Sequence, residues 1–221
     1  MTLDDVTDET GADNDDAGDL PPAAVWVVTN WRSILLAAVL AFLGLGVGIF
    51  AATPKLPATD SVDAGFLQDM MYHHDQAVRM SLYVVGHSDD IGVNGFAQEI
   101  VIDQRWDMGR MAQLMEEWKL PEADPNRMAM EWMGMGMAVN QMPGIQPEDK
   151  VKALGTLRGP ELNRQFLTMM RDHHKGGIEM ADYEAEHGSD PILREVAATM
   201  ARNQRGEVLD YNIALKRLGF E

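Results

Sequence analysis

Cysteine is absent from all 221 residues. That absence excludes disulfides, thiolate metal sites, cysteine nucleophiles and a lipidated cysteine anchor. Basic residues are scarce: 18 Lys and Arg stand against 35 Asp and Glu, for a formal net charge of −17. Nucleic acid is thereby excluded as a partner, because phosphate binding needs a basic surface. The chain has no G-x-S-x-G, phosphate loop, H-E-x-x-H or glycine-rich dinucleotide turn, so no catalytic residue is singled out. β-Branched alternation is missing, so strands are not expected and the fold class is all-α.

Long apolar runs are limited to one. Ser33 to Ala52 is apolar except for Ser33, and about 20 helical residues cross one bilayer core. Trp26 and Trp31 suit the interface on the Arg32 side, with Lys55 on the other. A cleaved signal peptide is the competing reading. The acidic stretch ahead of the run and the lack of a clean A-x-A site after it favour an uncleaved anchor. Residues 1–24 form an acidic tail whose charges (Asp4, Asp5, Asp8, Glu9, Asp13, Asp15, Asp16, Asp19) argue for disorder. The anchor covers 25–52 and a proline-containing linker 53–60. A single N-terminal anchor ahead of a large domain places residues 61–221 outside the cytoplasm at the cell membrane. Gly44-x-x-x-Gly48 has the spacing that lets two anchors pack as a homodimer, although glycine is common in spanning helices.

The remaining chain contains one unit twice. Phe66-Leu67-Gln68-Asp69-Met70-Met71-Tyr72-His73-His74 recurs as Phe166-Leu167-Thr168-Met169-Met170-Arg171-Asp172-His173-His174. The shift of 100 then holds without a gap through Met80 and Met180, Tyr83 and Tyr183, His87 and His187, and Gln104 and Gln204. All six histidines fall into three pairs under it. Caps, prolines and glycines predict helices over 61–86, 91–119, 160–187 and 190–219, with Asp60 or Ser61 starting the first. Each repeat is a helical hairpin with a short turn, and two hairpins make a four-helix bundle. Residues 121–159 form a long connector, with a short helix starting at Gln146-Pro147-Glu148-Asp149.

On a helical wheel Phe66, Met70, His73, Ala77, Met80 and Val84 share one face, as do Phe166, Met170, His173, Gly177 and Met180. His73 and His173 therefore belong to the buried stripe, and His74 and His174 to its edge. Ala77 and Gly177 leave room beside them. A methionine stripe is ordinary core material, and a lone buried histidine is ordinarily a hydrogen-bonded one. Four imidazoles on two related stripes are costly to bury without partners, and metal coordination is the commonest reason for such a cluster. A carboxylate-bridged di-iron site needs Glu-x-x-His on two helices. Only Glu184-x-x-His187 fits, and Val84 breaks the match. Zinc gains nothing from thioethers. Thioether with imidazole selects copper, Cu(I) above all. The candidate ligands are His73, His74, His173, His174, Met70, Met80, Met170 and Met180. Met128, Met130, Met133, Met135 and Met137 in the connector are secondary candidates, since a spacing of two does not suit a helical stripe. Glu99, Asp103, Gln104, Asn203 and Gln204 are candidates for contacts behind the imidazoles. Asp75 with Arg79, and Lys175 with Glu179, are spaced as helix ion pairs of swapped sign. His87 and His187 suit helix C-termini.

The duplicated Phe-Leu-x-x-Met…His-His…Met segments, Gln104 and Gln204, and Met142-Pro143-Gly144 resemble the signature of the domain-of-unknown-function 305 family over residues 61–221. The resemblance implies a ferritin-like four-helix bundle, export or membrane anchoring, and a connection with copper binding and resistance in some members. It points to the same four histidines with Met70, Met80, Met170 and Met180. Asp75 conforms to the family's acidic residue after the His pair. Lys175 departs from it and puts a cation beside His174.

The leading expectation is a membrane-anchored, extracytoplasmic copper-binding protein that sequesters or passes on the metal and is not an enzyme. A metal-dependent oxidoreductase is one alternative. An accessory subunit of a membrane complex, with structural histidines, is another.

Overall fold

The computed structural model describes residues 22–52, 56–121, 123–124 and 126–221. The chain divides into two compact units, Met1–Lys55 and Leu56–Glu221. The first contains helix α1, Pro22–Ala52. The described side chains of α1 from Trp31 to Gly46 are all exposed, although most are large and apolar. Among the described residues no helix is long and apolar enough to cross a membrane. The expected anchor runs on into side chains 47–52, which lie outside the described ones, as does the acidic tail through residue 21.

The second unit is built from two helical hairpins. Helix α2 spans Val62–Leu82, and the Ser61 hydroxyl caps it by accepting from the Ala64 N–H at 3.1 Å. Helix α3 spans Ile91–Glu117 behind Asp90, whose carboxylate accepts from the Val93 N–H at 2.9 Å. The sequence places the end of α2 at residue 86, but the helix stops at Leu82 and residues 83–87 turn, with Gly86 at φ 75°. The second hairpin is α5, Gly159–His187, followed by α6, Pro191–Arg217. Asp190 caps α6 ahead of Pro191, whose missing N–H costs nothing at a first helical position. At its other end Gly219 takes φ 75° and the Phe220 N–H donates to the Leu215 carbonyl, closing the last turn. Helices α2 and α3 pack together, α5 and α6 pack together, and α2 packs on α5.

An approximate twofold relates the hairpins, and each braces the other's turn. The buried Asp63 carboxylate at the start of α2 accepts from the Ser189 and Asp190 N–H groups at 3.0 and 2.8 Å. At the matching position on α5, Asn163 accepts from the Ser88 hydroxyl and donates to Asp89, both at 2.7 Å. The core divides accordingly. Met70 and Met180 lie in one apolar cluster, with Phe66 and Leu67. Met80 and Met170 lie in the other, with Phe166 and Leu167.

The connector departs from the strand-free expectation. Met128–Ala129 (β1) pairs antiparallel with Met137–Ala138 (β2), around a 3-10 turn at Glu131–Met133. A loop that doubles back satisfies its backbone groups by pairing with itself, whatever its side-chain alternation. Helix α4, Glu148–Leu154, follows where a short helix is expected. Asp69 on α2 holds the connector down. Its buried carboxylate accepts from the Met130 N–H and the Trp132 indole N–H, each at 2.8 Å, and pairs with Arg127. Trp132 lies directly over Gly65, where an added Cβ would come within 2.4 Å of the indole.

Candidate metal centre

His73 and His173 meet at the twofold between α2 and α5. Their ring centroids are 3.8 Å apart at 38°, and the residues are 1% and 0% exposed. The helical periodicity of the two Met/His stripes places them there. The space is kept open by Gly177, where a Cβ would stand 3.1 Å from His73 Cε1 and 2.4 Å from Gln204 Oε1. The connector closes the layer. Pro143 and Gly144 lie against α5, where a Cβ on Gly176 would collide with the Pro143 carbonyl at 2.0 Å. That carbonyl also lies 3.3 Å from His73 Nε2 and accepts its proton.

His74 and His174 are placed differently from expectation. The wheel sets them at the stripe's edge, yet they are 1% and 0% exposed. The second helix of each hairpin covers them. Asp107 on α3 brings Oδ2 to 3.6 Å from His74 Nε2, and Glu207 on α6 brings Oε2 to 2.5 Å from His174 Nε2. The Glu207 contact is close without the alignment of a full hydrogen bond. The Tyr211 hydroxyl, 3.4 Å from His174 Nε2, completes the second pair. The sequence reading passes over Asp107 and Glu207. The shift of 100 relates them, but the change from Asp to Glu hides the match. Of the residues proposed to stand behind the imidazoles, Gln204 lies against Gly177, the glycine that also borders His73. Gln104 and Gln204 are both buried, with Oε1 unpartnered. Asn203 carries no described contact to a ring. Glu99 and Asp103 stand among the carboxylates. Their pKa values are raised by burial and then by the charges of Glu207 and neighbouring acids.

Burial makes the central imidazoles neutral. Desolvation, reinforced by the neighbouring imidazoles of His74 and His174, pushes His73 down to about 3, against the opposing Pro143 bond. His173 falls well below its ordinary value, through desolvation first and then through His73. Neutral rings present lone pairs. Both ring nitrogens of His173, and Nδ1 of His74 and of His174, are buried without a hydrogen-bond partner. Buried polar atoms are seldom left so, and an imidazole lone pair is a metal donor. Among the described residues no three His, Asp or Glu side chains already converge as a metal cage. The donors are present in kind, and bringing them onto one ion requires side-chain rotation.

Met70, Met80, Met170 and Met180 are fully buried, Met70 with Met180 in one apolar cluster and Met80 with Met170 in the other. The connector methionines separate. Met130 is fully buried at φ 63°, Met133 and Met137 pack partly on the core, and Met128 and Met135 are exposed. The connector reaches His73 through the Pro143 backbone carbonyl. Arg79 pairs with Asp75 and also with Glu148 of α4. Lys175 reaches back to Asp172 at 3.3 Å and not forward to Glu179, so its ammonium is held at the surface. His187 stacks on Tyr183 at 4.1 Å. His87 is exposed. Neither His87 nor His187 joins the centre.

Solved structures share this architecture. A DUF305 protein from Streptomyces coelicolor is 36% identical, with a TM-score of 0.68 over 73% of this chain and 96% of its own. A DUF305 fragment from Deinococcus radiodurans is 27% identical, with a TM-score of 0.62 over 74% and 99%. CopM in its Cu(I)-bound form shares the fold at 18% identity and a TM-score of 0.53, over 70% of this chain and 96% of CopM. Its Cu(II)-bound form does so at 21% and 0.56, over 71% and 97%. No curated protein matches the chain. The family model described as domain of unknown function (DUF305) matches residues 63–213, and the chain belongs to that family.

Proposed function

We propose that this protein binds copper at the histidine layer, to sequester the ion or pass it on, and that it is not a catalyst. The observation that carries the reading is the set of buried, unpartnered imidazole nitrogens of His74, His173 and His174, with the His73 ring 3.8 Å from that of His173. Met70, Met80, Met170 and Met180 beside this layer add soft donors that favour Cu(I) over zinc. CopM, which shares the fold, is known in Cu(I)- and Cu(II)-bound forms, and this supports the choice of metal. The helical domain acts outside the cytoplasm, tethered to the membrane through α1. The exposed apolar side chains along α1 support that tether.

Titration of the purified full-length chain with Cu(I), in competition with a chromophoric chelator, tests the reading. Stoichiometric uptake, lost when His73 and His173 are both replaced by Ala in a still-folded protein, is the expected result. Metal-free protein that takes up no copper refutes it. Turnover of bound copper with an oxidant moves the assignment to an oxidoreductase. Metal-free protein that co-purifies with a membrane complex moves it to an accessory subunit. Protease added to intact cells should cut residues 61–221, and full protection of that segment reverses the topology.

A further inference from the structure

Asp107 and Glu207 are the unexpected members of this centre. They come from different hairpins, occupy matching positions, and each addresses the Nε2 of a buried imidazole. Their neighbours do not repeat in this way. Glu99 matches Thr199, Asp103 matches Asn203, and Arg110 matches Asp210. The carboxylate is therefore kept at this one position of the acidic face, and the length of its side chain is not.

The unpartnered atoms say what the carboxylates do. Nδ1 of His74 and Nδ1 of His174 are buried with nothing to bond. Were either to carry a proton, a buried donor would go unsatisfied, which is rarer and costlier than an under-used acceptor. The proton therefore belongs on Nε2, where a carboxylate faces it. Asp107 Oδ2 at 3.6 Å and Glu207 Oε2 at 2.5 Å lie beside these Nε2 atoms, each within reach of an aligned bond once the ring rotates.

We propose that Asp107 and Glu207 are positioning residues of the metal centre: each lies beside Nε2 of a buried imidazole, of His74 and His174 respectively, draws the ring proton to that nitrogen, and so leaves the Nδ1 lone pair for the ion. This rests on the copper-binding reading and adds to it which nitrogen binds and what orients it. A carboxylate behind a ligating histidine fixes its tautomer and raises its basicity, and losing such a partner typically costs 10–100-fold in metal affinity. His173, with both nitrogens unpartnered, has no such support.

The test uses the full-length chain with 15N-labelled histidine. In the metal-free protein, His74 and His174 should show the signature of a protonated Nε2 and a bare Nδ1. Asp107→Ala and Glu207→Ala should each lower copper affinity by about 10–100-fold. Asp107→Glu and Glu207→Asp should restore most of it, and far-ultraviolet circular dichroism should confirm folding of every variant. A loss of packing alone would not be rescued by restoring the charge at a different side-chain length. Wild-type protein that binds copper with Nδ1 protonated, or whose affinity survives both alanine variants, overturns this proposal and leaves the copper reading standing. Wild-type protein that takes up no copper overturns the copper reading and the metal half of this one. The tautomer signature in the metal-free chain then still decides whether the carboxylates position the rings.

Discussion

Glu184 should make the helical domain lose stability as pH rises. Its carboxyl is fully buried on α5, opposite Asp63, with the Asp190 carboxylate nearby. Asp63 accepts from the Ser189 and Asp190 N–H groups, bonds that suit an anion. Two ionised carboxylates only accept, so Glu184 gains a bond to Asp63 only when it carries a proton. Burial first, and then the Asp63 and Asp190 charges, raise Glu184 from 4.5 to about 8. The sign follows from proton binding. Between those two values the folded chain holds a proton that the unfolded chain has released, so raising pH favours unfolding. The contribution is fully present below the unfolded value of 4.5 and is lost as pH climbs through about 8. At about 1.4 kcal/mol per pH unit, with some relief from solvent, the total is on the order of 2–5 kcal/mol. Glu184→Gln replaces the shared proton with a permanent donor. Urea unfolding of both proteins at pH 5, 7 and 9 measures the effect. The variant should match wild type at pH 5 and exceed it by roughly 2–5 kcal/mol at pH 9. A difference between them that does not change with pH would refute the shared proton.

Three further perturbations address the connector and the centre. Asp69→Ala removes the acceptor for the Met130 and Trp132 N–H groups and leaves Arg127 unpaired, so the connector should come loose at a cost of about 3 kcal/mol, read by faster proteolysis between residues 121 and 147. Replacing Met128, Met130, Met133, Met135 and Met137 together with Leu should slow copper loading in stopped-flow mixing while the domain still folds, with each site costing less than about 1.5 kcal/mol and most of the loss at the fully buried Met130; loading at the wild-type rate would remove the connector from metal handling. Gly177→Ala forces a methyl group against Gln204 and His73, so it should cost about 1–3 kcal/mol in thermal unfolding and weaken copper binding as well.

Much of this was legible in the chain. A period of 3.6 on two segments related by one shift locates His73 and His173 on the buried stripe, and caps such as Ser61, Asp90 and Asp190 locate the helix starts. The full burial of His74 and His174 was not, because it depends on which face of α3 and α6 lies over them. That is a matter of packing angle, which periodicity within one helix does not carry. Asp107 and Glu207 depend on the same packing angle, and the change from Asp to Glu also hides their match under the shift of 100. Glu184 read as half of a metal motif with His187, yet its side chain turns to Asp63, 121 positions earlier in the chain. The connector's fold rests on a single buried acid, Asp69, that has no pattern around it.

Joining the two hairpins in one chain frees them from the rule that governs a homodimer, in which every contact must occur twice. His73 and His173 still meet as counterparts. Around them the halves have specialised. Asp69 holds the connector while Met169, its counterpart, fills the core. Glu184 faces Asp63, whereas Val84 is simply apolar. Tyr211 reaches His174, and the position matching it carries Met111. Each half can therefore change by itself, one to hold the connector and the other to brace a turn, without the same change being forced on its counterpart.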